Sequence, residues 1–144
     1  MAKDFHDKCD DKLNTVSLLQ IKDGDCIGGF TTAKWFTPQG GDVFSFDKDS
    51  MLFNLNKNLH YPCKIYECAI WNYPNCGPYF GLNGELATLE PFNQENHCSA
   101  SMHENWCYKV PIDDNKRSML TNTEIEVGAK QAQTKFTITE LEVW

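Results

Sequence analysis

The apolar residues of this chain come in short, mostly alternating stretches separated by clusters of Gly, Pro, Asn and Asp, and that pattern constrains the fold most. Thr15-Val16-Ser17-Leu18-Leu19-Gln20-Ile21 reads as a strand. Lys22-Asp23-Gly24-Asp25 reads as a tight turn, because Gly24 takes a positive φ at no steric cost, and Cys26-Ile27-Gly28-Gly29-Phe30-Thr31 returns as its hairpin partner. Further strands are predicted at Val43–Phe46, Met51–Leu55, Cys63–Trp71, Tyr79–Leu82, Trp106–Val110 and Lys135–Trp144. Helical signal is confined to a short helix starting on Asp4 and running to Lys12, and to a single turn within Asn115–Leu120. The polar stretch Asn122–Thr134 lacks periodicity and is expected to be a loop. Many short strands with frequent turn signals predict a mainly β, two-sheet sandwich or a barrel.

The last of these strands carries an internal conflict. Phe136 and Ile138 sit on even positions, Leu141 and Val143 on odd ones. A regular strand has a side-chain period of 2 and cannot turn both pairs inward. Either a bulge near Thr139-Glu140 restores the phase or both faces of the strand are covered.

Composition narrows the function classes. With 144 residues the chain suits one domain, and 20 acids against 13 bases give a formal charge of −7. That sign argues against nucleic-acid binding, which needs Lys and Arg on phosphates. No apolar run reaches the length of a membrane span. The opening residues are polar and carry acid early, unlike a signal peptide, so a cytoplasmic location is expected. The seven cysteines are odd in number, so free thiols in a reducing compartment are expected rather than a disulfide framework.

No constellation matches a known chemistry closely. His97, Cys98, His103 and Cys107 are close in sequence, but zinc ligands pair as Cys-x2-4-Cys or His-x3-5-His. Here His97 and Cys98 are adjacent, so no stoichiometric zinc is expected. Cys63, Cys68 and Cys76 include no Cys-x-x-Cys and read as core thiols. A Cys98–His103 dyad has no supporting motif. Asp113-Asp114 and the Glu140, Glu142 pair read as solvated faces. The Gly28-Gly29 pair fits no phosphate loop and marks a bulge or a close backbone approach.

Four segments, in order, resemble the TLDc domain. Phe5-His6-Asp7-Lys8-Cys9-Asp10-Asp11-Lys12 is similar to the family's opening Phe-His-x-Lys-Cys-Asp turn, and Leu18–Trp35, with Ile27-Gly28-Gly29-Phe30-Thr31, to its core hairpin. Phe80-Gly81-Leu82-Asn83-Gly84-Glu85-Leu86 is similar to its Phe-Gly-x-x-x-(Asp/Glu)-Leu segment, trailed by Cys98-Ser99, and Phe136–Trp144 to its closing strand. The divergent middle is closer to unicellular-eukaryote members than to animal ones. The resemblance implies a two-sheet antiparallel β-sandwich with a few short helices. It predicts one domain, 1–144, without the family's most N-terminal strand, which would leave an exposed edge. It also implies a link to oxidative-stress resistance and to the vacuolar proton ATPase, and it offers no agreed catalytic motif.

The expectation is therefore a non-catalytic, cofactor-free protein-binding module that docks on a larger assembly such as the vacuolar proton ATPase. A structural subunit of a cytoskeletal or ciliary microtubule assembly is the alternative, and a thiol-based redox protein the second. The acidic excess suggests a Lys/Arg-rich partner patch with Glu95, Glu104, Asp113 and Asp114 at the rim. Among the thiols, Cys26, Cys68 and Cys107 lie in apolar runs and are expected to be buried. Cys76, in the loop Asn72–Pro78, is expected to react first.

Overall fold

The computed structural model describes residues 2–22, 24–89, 98–102, 106–122, 124–127 and 132–144. Helix α1 (Ala2–Cys9) leads into the hairpin β1 (Thr15–Ile21) and β2 (Cys26–Thr31). There follow β3 (Val43–Ser45), β4 (Met51–Asn54), β5 (Leu59–Pro62), a 3₁₀ turn (Tyr66–Cys68), β6 (Ile70–Asn72) and β7 (Cys76–Phe80). The chain continues with β8 (Leu86–Leu89), β9 (Cys98–Met102), β10 (Glu126–Val127), β11 (Ala132–Phe136) and β12 (Ile138–Val143). One antiparallel sheet has the order β12-β1-β2-β4-β5, the other β10-β11-β9-β8-β7-β6-β3. The two pack face to face as a β-sandwich. Among the described residues no helix is long and apolar enough to cross a membrane.

The hairpin forms where the alternation places it. Thr15, Ser17, Leu19 and Ile21 point into the core, and β1 pairs with β2 from Thr15↔Thr31 to Gln20↔Cys26 without a break. The glycine pair is therefore a close approach rather than a bulge. A Cβ on Gly28 would strike Ser17 O and the Phe53 ring, and one on Gly29 would strike the Phe80 ring of the opposite sheet. Trp35, with its Nε1 donating to Thr15 Oγ1 at 2.8 Å, anchors the core between the sheets. Phe5, Trp35, Phe80 and Tyr108 continue edge to face, at centroid separations of 5.3, 5.6 and 6.2 Å.

Helix α1 closes one end of the sandwich. It buries Ala2, Phe5, His6 and Cys9. His6 bridges Asp10 Oδ1 at 2.8 Å and Tyr73 O at 3.1 Å, tying the helix to the β6–β7 turn.

The closing segment resolves its own phase conflict in two ways. It is two strands, one in each sheet, and the chain crosses between sheets at Thr137, so Phe136 and Ile138 are both buried. The register of β12 on β1 then jumps from Ile21↔Ile138 to Gln20↔Glu140, leaving Thr139 as the bulged residue. Leu141 and Val143 consequently face inward and pack against the core.

Elsewhere the structure departs from the strand pattern. The run Cys63–Trp71 is not one strand: the 3₁₀ turn interrupts it, which lets Cys63 and Cys68 both point inward although five positions apart. Trp106–Val110 forms no strand beyond a Cys63↔Tyr108 bridge, because a carboxylate, Glu85, takes the Cys107 N–H that a ladder would need. The expected loop Asn122–Thr134 contains β10 and the start of β11. Polar Thr134 is buried there against Thr121 Oγ1 at 3.1 Å. The segment Asn115–Leu120 is a non-helical turn, flanked by the bridges Ile112↔Ser118 and Arg117↔Glu124.

Candidate functional site

The residues singled out from sequence do not converge. Glu95, Glu104, His97 and His103 lie outside the described residues. Asp113 is committed to its own turn, where Oδ1 accepts the N–H groups of Asn115 at 2.9 Å and Arg117 at 2.7 Å. Asp114 beside it is exposed. The placement of Cys76 in a loop is corrected: it opens β7 and is buried, because the chain re-enters the sheet two residues after Pro74. Of the seven thiols, Cys26 alone is half-exposed and the other six are buried. The expectation that Cys26 is buried is corrected: it opens β2 beside the hairpin turn and stays half-exposed. Its thiol is held above its usual pKa by partial burial and by the Glu142 and Glu140 carboxylates. Cys98 lies buried in β9, its thiol pushed up to about 12 by desolvation. Among the described residues no group of three or more His, Cys, Asp and Glu side chains is placed to hold a metal ion.

Two other places concentrate chemistry. The first is the outer edge of β12, which among the described residues pairs on one side only, with β1. Val16 and Trp144 exchange both backbone hydrogen bonds at 2.9 Å, which sets the alternation along the ladder. Trp144, Glu142 and Glu140 bond to β1, so Leu141 and Val143 turn their N–H and C=O groups outward. A groove of about 390 Å³ runs beside them, lined by Asp4, Phe5, Lys8 and Cys9 of α1 and by Leu141, Glu142, Val143 and Trp144. Consecutive strand residues alternate between faces, so a groove touching all four follows the strand edge rather than one face. Trp144 is 74% exposed, the most exposed large apolar side chain among the described residues. The solvent face carries Glu140 and Glu142, which leave the edge acidic.

The second is a buried corner around Glu85, whose side chain is fully enclosed. Gly81 and Gly84, at φ +85° and +67°, bend the chain back so that the carboxylate meets backbone donors. Any Cβ on Gly81 would collide with that carboxylate. Oε2 accepts the Asn83 N–H at 3.1 Å, and Oε1 accepts those of Cys107 at 2.6 Å and Tyr108 at 3.4 Å. Burial nevertheless dominates and holds the Glu85 carboxyl above its ordinary pKa, against the pull of those N–H groups. Tyr108, hydrogen-bonded to Ser50 and to Ala69 O, and the thiols of Cys63, Cys68 and Cys107 complete the corner.

Sequence reasoning noted both stretches, one as a family segment and one as a solvated face, and assigned a site to neither. The signal for the corner is an acid at the mouth of an apolar strand, framed by two glycines: Gly81-Leu82-Asn83-Gly84-Glu85-Leu86. The signal for the edge is the alternation Glu140-Leu141-Glu142-Val143, acids out and apolars in, on a strand that closes the sheet.

The two-sheet sandwich with a helix across one end and a glycine-framed acid in its second sheet defines a TLDc-type module. The family model described as the TLDc domain matches residues 1–144, the whole chain, and the chain belongs to that family. Domains of this family are generally involved in resistance to oxidative stress. Among curated proteins the sequence has no match.

Proposed function

We propose that this domain is a non-catalytic docking module that binds an extended, Lys/Arg-bearing segment of a protein partner along β12. The observation that carries the reading is the one-sided pairing of β12 next to the groove. An added strand would bond to the outward N–H and C=O groups of Leu141 and Val143. Its apolar side chains would enter the groove against Phe5 and Trp144, and its basic ones would meet Glu140, Glu142 and Asp4. Resistance to oxidative stress then follows from assembly rather than from catalytic turnover by the domain. The vacuolar proton ATPase is the candidate assembly, on the strength of the family resemblance.

Charge reversal tests this reading. Rim charges mostly steer encounter, so Glu140→Lys/Glu142→Lys should slow association with a captured partner by about tenfold at low salt while changing dissociation little. Added salt should slow association by the wild type and narrow that gap. Association indifferent to both charge and salt would contradict it.

A further inference from the structure

Two cysteines 39 positions apart in sequence are brought together in the buried corner. Cys68 ends the 3₁₀ turn, Cys107 follows Trp106, and their sulfur atoms are 2.9 Å apart. We propose that Cys68 and Cys107 form an oxidation site, in which a peroxide converts the two thiols into an intramolecular disulfide. This inference is independent of docking at β12.

The surroundings favour this pair. Cys107 is fixed on both sides: its N–H donates to Glu85, and its Sγ accepts the Leu82 N–H at 3.4 Å. The Cys68 thiol donates to Ile65 O at 3.8 Å and so leans on the chain just before it. A disulfide has a sulfur separation of about 2.0 Å, so closure needs a movement of roughly 1 Å, within reach of side-chain rotation and a small shift of the turn. Cys63 shares the corner, but its thiol donates to Ile65 O at 3.4 Å.

Access comes through the cover. Lys64, Ile65, Tyr66 and Glu67, which lead into Cys68, are all exposed and are held by the Lys64 N–H on Cys107 O at 2.7 Å and the Asp47 N–H on Tyr66 O at 2.9 Å, so opening of this short stretch uncovers Cys68 while β6 stays in its sheet. Cys107 is completely buried, whereas Cys68 keeps 8% of its surface exposed. Burial, the contact with Cys68 and the nearby Glu85 carboxylate all hold its thiol in the protonated form. Cys68 is thus the attacking sulfur and Cys107 the resolving one.

The chemistry balances. The Cys68 thiolate attacks the peroxide, the O–O bond breaks, and Cys68 becomes a sulfenic acid as an alcohol or water leaves. The Cys107 sulfur then attacks the Cys68 sulfur, the S–O bond breaks, and the departing hydroxide takes the Cys107 proton to leave as water. Two thiols give up two electrons and two protons, and one peroxide is reduced. Each chain reacts once until a thiol reductant restores it, so this is a stoichiometric response and not turnover.

The test uses the full chain, fully reduced and then exposed to hydrogen peroxide. Remaining thiols are alkylated, and digestion without reductant is followed by mass spectrometry. The expected result is an intact mass lower by two hydrogens, a dominant Cys68–Cys107 cross-linked peptide, and reversal by dithiothreitol. The cross-link should raise the thermal midpoint by about 5–15 °C, since it closes a long loop. Cys63→Ser should keep the cross-link, while Cys68→Ser and Cys107→Ser should each lose both it and the shift in midpoint. A dominant cross-link at another pair, between chains, oxygen addition without cross-linking, or no oxidation would each overturn the proposal. Should the Cys68 and Cys107 variants not fold, the peptide maps of the wild type and Cys63→Ser decide the matter.

Discussion

The β12 edge and the Glu85 corner treat polar groups in opposite ways. At the edge, the outward backbone of Leu141 and Val143 has no strand partner among the described residues and lies beside an open groove. In the corner, a fully enclosed carboxylate collects the N–H groups of Asn83, Cys107 and Tyr108. Leaving strand groups unpaired costs little in water and keeps them available to a partner. Leaving the corner's groups unpaired would cost the full desolvation penalty of each. The edge is therefore suited to association, whereas the corner sets the local architecture and answers only to small reagents that reach it through its cover.

The largest effect should follow from removing the carboxylate. Glu85→Ala strands the buried N–H donors of Cys107 and Tyr108 and the part-buried one of Asn83 and opens a cavity, an expected loss of about 3–5 kcal/mol in denaturant unfolding. Glu85→Gln should lose less, about 1–3 kcal/mol, because its amide N–H₂ must face an N–H donor on one side. The pH dependence has a definite sign. The folded pKa of Glu85 lies above the unfolded one, so the stability from its proton is fully present below its ordinary value of 4.5 and is lost as pH rises through the folded value. Glu85→Gln should flatten that decline, and an unchanged pH profile would break the comparison.

Asp47 sharpens it, as a second buried carboxylate with the opposite balance. It accepts hydrogen bonds from Thr31 Oγ1, Thr32 N and Thr32 Oγ1 at 2.7 Å each, Asp49 N at 3.0 Å and Ala33 N at 3.3 Å. Desolvation pulls its pKa upward, but the combined hydrogen bonds from Thr31, Thr32 and Asp49 outweigh it and hold the value below normal. Its contribution is present above its ordinary 3.8 and lost as pH falls through the folded value. Asp47→Asn should cost about 1.5–3 kcal/mol near neutrality and remove part of the acid-side loss, leaving the Glu85-dependent side unchanged.

A smaller effect separates the thiols. Alkylation of the native protein should label Cys26 ahead of Cys76 by about tenfold or more, since Cys76 reacts only through opening of β7. Glu142→Gln should speed labelling of Cys26 by removing a carboxylate that disfavours its thiolate. Cys76 leading the order would show that β7 is not held in its sheet.

What was legible in the sequence was local. The β1–β2 hairpin needs only alternation, and its strands run where the pattern puts them, although Gly24 does not take the positive φ expected of it. The bulge at Thr139 followed from counting phase between Ile138 and Leu141, although the crossover at Thr137 did not, because a change of sheet leaves no mark on side-chain period. The corner was hidden because its partners are distant in the chain: Glu85 meets Cys107 22 positions on, and Tyr108 meets Ser50 58 positions back. Strand β11 was hidden because Thr134 is buried through a hydrogen bond rather than by being apolar. The burial of Cys76 was hidden by the Pro74-Asn75 turn, which reads as loop up to the residue where β7 begins.

The central claim, docking along the β12 edge, is tested most directly by Leu141→Pro. The N–H that proline removes points away from β1, so the β1–β12 ladder keeps its bonds; loss of the Leu141 side chain from its packing should cost about 1–3 kcal/mol, and Leu141→Ala, which loses the same packing but keeps the N–H, is the matched control. Native capture with the wild type and the variant, compared by quantitative mass spectrometry, should show the wild-type partner lost from the folded variant. A folded Leu141→Pro domain that retains the same partner in the same yield would contradict the account.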